Sequence, residues 1–266
     1  EGGELVFDVK LDHSSTTTTL VNLNLANGSG TVGTDTSSYK VSFDNGLTYV
    51  DVVGSSISVP AGTVDIKIQV ATVNDNLVEG DETITLTAKS EFETSGAGQT
   101  GTGTILDNDS ATLSVTPALN NVSVSEGSAA DFTVKLSNPS ATDTTVTLNL
   151  ITNGATGNAS ATDVGGLQYK DGSGNWVNVP ANGQVTIAAG QTDVIVRVPT
   201  TQDGVYEGKE NFTLQATVNG ATVSGQGSII DDGTGTIPPG QPGTPDNDQP
   251  KDASVSSPSI AEGGNL

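Results

Sequence analysis

The chain alternates. Val64-Asp65-Ile66-Lys67-Ile68-Gln69-Val70 and Val194-Ile195-Val196-Arg197-Val198 are β-branched runs in which apolar residues recur at every second position or nearly so. A period of two is the signature of a half-buried strand, because successive side chains leave a pleated backbone on opposite faces. No stretch shows helical apolar spacing. Asn45-Gly46, Asn182-Gly183 and Asn219-Gly220 fall between such runs, and Asn-Gly favours the tight turns of antiparallel hairpins. In residues 110–233 the pattern predicts nine strand segments, near 112–125, 130–137, 144–151, 167–170, 175–179, 184–187, 192–199, 211–218 and 222–230. Short strands with turns at this spacing predict an all-β chain of antiparallel β-sandwiches, immunoglobulin-like in type.

The pattern also repeats. Asn74–Glu82 (NDNLVEGDE) matches Gln202–Glu210 (QDGVYEGKE), and an alternating strand follows each. EGGELVFDVKL at 1–11 matches EGSAADFTVKL at 126–136, and EGGNL at 262–266 opens the same way. Glu1, Glu126 and Glu262 are therefore equivalent, at offsets of 125 and 136 residues. A period this long means tandem domains and not a solenoid. The expected organisation is a sandwich over 1–109 lacking its first strand, and a complete sandwich over 110–233. A Pro/Gly-rich linker follows over 234–251, and then the first strand of a following repeat over 252–266. The start reads as a fragment boundary.

Strand parity places the acidic residues. If successive segments run antiparallel, odd-numbered segments end at one pole. Glu126 follows segment one, Asp163 segment three, Asp203, Glu207 and Glu210 segment seven, and Asp231 and Asp232 segment nine. The first repeat carries the same set as Glu1, Asp35, Asp75, Glu79, Glu82, Asp107 and Asp109. Asp35 to Asp75 and Asp163 to Asp203 are both 40 residues.

Composition sharpens this. With 9 Lys+Arg against 31 Asp+Glu the net charge is −22. That excludes a nucleic-acid binder, which needs a basic face, and it opposes an anionic membrane surface. No apolar run approaches the ~18 residues of a spanning helix, so no membrane insertion is expected. Cysteine is absent and His13 is the one histidine. Thiolate and imidazole metal sites, Cys nucleophiles and most triads are thereby removed. No carboxylate pair sits in an evident cleft, so no enzyme is expected. Carboxylates gathered at one pole repel unless a cation sits among them, and all-oxygen ligands suit Ca2+ better than Mg2+. No segment has EF-hand spacing.

The opening Glu-Gly, the Asp-x-x-x-Glu-Gly-x-Glu element and the terminal acidic cluster together resemble the Calx-beta domain. More closely, they resemble the immunoglobulin-like tandem extender repeats of giant bacterial repeats-in-toxin adhesins. The resemblance implies a seven-stranded-type sandwich with calcium at the tip next to the linker, held by the fourteen acidic residues named above. It further implies type I secretion to the cell surface and a stiff spacer role in adhesion and biofilm formation, with neighbouring repeats as partners. Asn108 and Gly233 depart from the acidic pattern, so the second pole is expected to hold fewer or weaker ions. Two rival readings are a glycan- or protein-binding adhesin module and a strand-donating filament subunit. The second follows from the orphan strand at 252–261, which is expected to exchange head-to-tail between copies. An 18-residue linker spans at most ~60 Å, too short to return to the first repeat of its own chain.

Overall fold

The computed structural model describes residues 1–94, 96–116, 122–231 and 253–257, and among these there is no helix. The chain divides into two compact units, Glu1–Ala111 with Asn138–Thr142, and Thr112–Ser137 with Asp143–Leu266. Asp232, the 234–251 linker and Glu262 lie outside the described residues.

Unit 1 holds eight strands: β1 (Glu4–Lys10), β2 (Thr19–Asn27), β3 (Thr36–Ser42), β4 (Val50–Asp51), β5 (Ser56–Val59), β6 (Asp65–Thr72), β7 (Glu82–Ser90) and β8 (Gln99–Ile105). They form two sheets, ordered β1-β6-β3-β4 and β5-β2-β7-β8, with every pair antiparallel. Alternation explains the core. Ile66, Ile68 and Val70 of β6 are buried and face Val21 and Leu23 of β2 and Ile84 and Leu86 of β7 in one cluster between the sheets.

Unit 2 repeats this layout with additions. Its strands are β9 (Leu113–Thr116), β10 (Val122–Ser125), β11 (Ala129–Leu136), β12 (Thr144–Ile151), β13 (Gln168–Lys170), β14 (Trp176–Asn178), β15 (Gln184–Ile187), β16 (Asp193–Pro199), β17 (Lys209–Val218) and β18 (Ala221–Ile230). The sheets run β9-β11-β16-β13-β14 and β15-β12-β17-β18-β10. Thus β11 takes the place of β1, β16 of β6 and β17 of β7. Its core closes on an edge-to-face pair, Phe132 against Phe212, with ring centroids 6.1 Å apart.

The structure corrects one expectation. The expected single segment over 112–125 is two strands in different sheets: β9 pairs antiparallel with β11, and β10 pairs parallel with β18. Pro117, in the sequence between them, has no amide hydrogen with which to continue a ladder. The β10–β18 ladder joins two odd segments, and it is parallel, as parity requires.

Two Asn-Gly steps are tight turns in the positive-φ region. Asn45 and Gly46 lie at φ 62° and 88°, and Asn219 and Gly220 at 49° and 83°. Trp176 packs on the sandwich surface, 3.8 Å below the guanidinium of Arg197, which also holds Asp131 in a two-pronged pair at 2.7 and 2.8 Å.

Candidate metal centres

Strand direction delivers the acidic residues of unit 1 to one end. Glu1 precedes β1, Asp35 precedes β3, Asp75 and Glu79 follow β6, Glu82 opens β7, and Asp107 and Asp109 follow β8. Their carboxylates form three overlapping groups: Glu1 with Asp75 and Glu79, Glu1 with Asp107 and Asp109, and Asp35 with Glu79 and Glu82. Within each group one oxygen per residue lies within 4.8 Å of the others. Two oxygens that share one calcium lie at most ~5 Å apart, given Ca–O distances of ~2.3–2.6 Å.

Backbone amides hold part of this cluster in place. Asp107 Oδ2 accepts from the N–H of Glu79 (3.0 Å) and of Gly80 (2.9 Å), while its Oδ1 accepts from the Asp109 N–H (2.8 Å). Asp75 Oδ1 accepts from the Leu77 N–H at 2.7 Å, and Asp35 accepts from the Thr31 N–H. Gly80 sits at φ 85°, where a side chain would be strained. That conformation explains the glycine inside the Glu-Gly motif.

Unit 2 uses the same devices. Asp231 Oδ2 accepts from the N–H of Glu207 and of Gly208 (3.3 Å), and Asp203 Oδ1 from the Val205 N–H (2.8 Å). Asp163 accepts from the Ser160 N–H (2.6 Å), the Ser160 hydroxyl (3.0 Å) and the Thr162 hydroxyl (3.1 Å). Among the described residues, Asp163, Glu207 and Glu210 form the one acidic group of this unit. Glu126, Asp203 and Asp231 stand outside that group. Gln202 Nε2 donates to Glu126 Oε2 at 3.1 Å.

Burial separates these carboxylates from a solvated acidic coat. The buried acidic residues among those described are Glu126, Asp163 and Asp231. In unit 1, Glu1 Oε2 and Asp109 Oδ2 are buried and accept no hydrogen bond. An unsatisfied buried charge is costly. The cationic side chains are committed elsewhere: the Lys and Arg ion pairs among the described residues go to Asp8, Asp51, Asp65 and Asp131.

The titration of the groups reflects this crowding. Burial, then the Asp35 charge and its hydrogen bond, push Glu82 up to about 7. Burial and the hydrogen bond to Asp163 push Glu210 up to about 7. Burial and neighbouring carboxylates also raise Glu1, Glu79 and Glu207. Asp107 is held low by the amides of Gly80 and Asp109. Burial raises Asp163, but hydrogen bonds from Ser160, Glu210 and Thr162 outweigh it and leave the group low.

The family model of the Calx-beta domain matches residues 1–110 and 106–226. The chain belongs to the Calx-beta domain family. Both Calx-beta units fall under that match. Among solved structures, CBD12 from CALX1.2 is similar at 15% identity, over 81% of this chain and 73% of that one, with a TM-score of 0.31. The calcium binding domain CBD12 of CALX1.1 is similar at 14% identity, over 81% and 74%, with a TM-score of 0.31. The apo-form Calx CBD1 domain is similar at 14% identity, over 45% and 97%, with a TM-score of 0.32. No curated protein matches the sequence.

Sequence reasoning missed the amides that brace the Calx-beta poles. Asn108 Nδ2 donates to Asn74 Oδ1 at 2.8 Å, beside Glu1 and Asp75. Asn74 and Gln202 occupy equivalent positions just before Asp75 and Asp203, and that repeat was the available signal. Gly30 was also missed. A Cβ there would stand 3.0 Å from Glu82 Oε2 and 3.4 Å from Asp35 Oδ2.

Proposed function

We propose that this chain is a calcium-rigidified structural spacer, an extender module of a bacterial cell-surface adhesin. The carrying observation is the carboxylate cluster of unit 1, in which seven acidic side chains form overlapping groups with two buried oxygens left without a hydrogen bond. Hard oxygen donors without sulfur or imidazole suit calcium. The residues fit that ion: Glu1, Asp35, Asp75, Glu79, Glu82, Asp107 and Asp109 would hold it in unit 1, and Asp163, Glu207 and Glu210 in unit 2. Glu126, Asp203, Asp231 and Asp232 belong to the second set by their match to the first. Bound calcium supplies positive charge that cancels the carboxylate repulsion.

The chain's own part is to bring loops from different strands to one place. Asp107 ties the turn after β6 to the chain end after β8 through the Glu79 and Gly80 amides. A pole clamped in this way resists bending and pulling, which is what a spacer requires. Secretion by a type I route, a place at the cell surface, contacts with neighbouring repeats and a part in biofilm formation rest on the resemblance to adhesin repeats. So does folding driven by the rise in calcium on export. The CALX1.1 relative, described as a calcium binding domain, supports the choice of ion.

Thermal unfolding in EDTA and in millimolar calcium tests the reading. A ligand at 100 times its Kd adds ~2.7 kcal/mol, which raises the melting temperature of a unit of this size by on the order of 10 °C. Magnesium at the same concentration should do less. A melting temperature unmoved by calcium would overturn the proposal.

A further inference from the structure

Unit 1 contains a cleft of about 1010 Å3 away from the acidic pole, lined by Phe7, Val9, Leu11, Leu86, Ala88 and Phe92 among others. It lies along β1 and β8, the end strands of their sheets, and among the described residues nothing pairs with their outer edges. Phe92, on its rim, is 66% exposed.

Unit 2 fills the matching place. There β9 adds to β11, the counterpart of β1, and β10 adds to β18, the counterpart of β8. Val115 of β9 and Val124 of β10 are buried, at 3% and 2% exposure. The effect reaches the core: Phe7 is 9% exposed, whereas its equivalent Phe132 is 1% exposed. Unit 1 has the seat for such a strand without the strand.

The chain also carries a matching strand sequence. Ala253-Ser254-Val255-Ser256 repeats the pattern of Leu113-Ser114-Val115-Thr116, and Ser259-Ile260-Ala261-Glu262-Gly263 repeats Ser123-Val124-Ser125-Glu126-Gly127. Residues 253–257 belong to no strand, and Val255, at the position of buried Val115, is 91% exposed.

We propose that residues 253–261 of one copy add as a β-strand to the cleft along β1 and β8 of a second copy, joining copies head to tail. The repeated Glu-Gly sets the register. Glu262 is equivalent to Glu1, so a donor running through Ala261 stops where the acceptor's Glu1 begins. The order linker, first strand, sandwich is then kept across two molecules. Unpaired strand edges accept added strands through main-chain hydrogen bonds, and apolar side chains at alternate positions give selectivity. A heterologous contact of this kind does not close on itself and builds open chains.

Light scattering over a wide concentration range, with calcium present throughout, tests the proposal on the 266-residue chain and on a Val255→Asp, Ile260→Asp double variant. Position 255 is exposed and outside every strand, so that substitution leaves both sandwiches intact. The unaltered chain should grow in multiples of its monomer mass, and the double variant should stay monomeric. A synthetic peptide of residues 252–261, titrated into the double variant, should bind with one-to-one stoichiometry and shift the NMR signals of Phe7 and Phe92. The same peptide with both aspartates should bind at least tenfold more weakly. Two results would overturn the proposal: assembly that survives in the double variant, or no peptide binding at millimolar concentration. A monomeric unaltered chain whose Phe7 signals already match the peptide-bound variant would also overturn it, since the strand would then occupy its own chain.

Discussion

Single carboxylates set the pH response of this protein. Glu82 and Glu210 titrate near 7 in the folded chain, against a model value of 4.5. An acid whose folded pKa is raised binds more protons folded than unfolded. Its contribution to stability is full below the unfolded pKa and is lost as pH rises through the folded one. In EDTA, stability should therefore fall as pH rises from about 4.5 to about 7. Asp107 and Asp163 are lowered from 3.8, so their contributions are lost only at pH below that value. Denaturant midpoints measured across this range check the sign. Glu82→Gln with Glu210→Gln should flatten the profile, raise the melting temperature in EDTA at pH 7 and shrink the calcium-induced rise. The opposed directions separate loss of ligands from general damage to the fold.

At the scale of elements, a glycine decides how β17 and β18 pack. Phe212 pairs with Gly227 across the ladder, and a Cβ on Gly227 would lie 2.3 Å from the ring's Cζ. The ring cannot swing away, because it is 2% exposed and set edge-on against Phe132. Gly227→Ala should therefore destabilise unit 2 by ~1–3 kcal/mol, the range for overpacking a filled core. Unit 1 repeats the device with a different partner: a Cβ on Gly103 would meet Phe7 at 2.8 Å. Chemical unfolding of the variant checks the magnitude, and an unchanged midpoint would mean the ring finds another place. Strands of this kind were legible because their cores are built by alternation, as in Ile66, Ile68 and Val70. The switch of sheet between β9 and β10 was not legible. Both runs alternate alike, and sheet membership depends on whether β11 or β18 lies alongside.

For the whole molecule, the net charge of −22 is unevenly placed. Fourteen of the 31 acidic residues belong to the two repeated sets, while Lys10, Lys40, Lys67 and Arg197 pair with other acids on the strands. The metal-free chain carries this repulsion in full. Raising sodium chloride from 10 to 150 mM shortens the screening length from ~30 to ~8 Å. The melting temperature in EDTA should rise over that interval, and the increment from calcium should shrink without vanishing. Scans at the two salt concentrations check this, and a calcium increment abolished by 150 mM salt would mean diffuse screening and not bound ions.

The sequence by itself determined the fold class, the tandem repeat and the identity of the acidic set. Each is written as a period: two for the strands, about 125 for the units, and 40 between Asp35 and Asp75 and again between Asp163 and Asp203. Periods are local or self-referring, so they survive without coordinates. Only the tertiary structure decided which carboxylates stand within 4.8 Å of one another, which oxygens are buried without a partner, and that β1 and β8 border a cleft where unit 2 carries β9 and β10. Those facts depend on which strands pair and which residues from distant loops meet. A one-dimensional pattern carries no such distances.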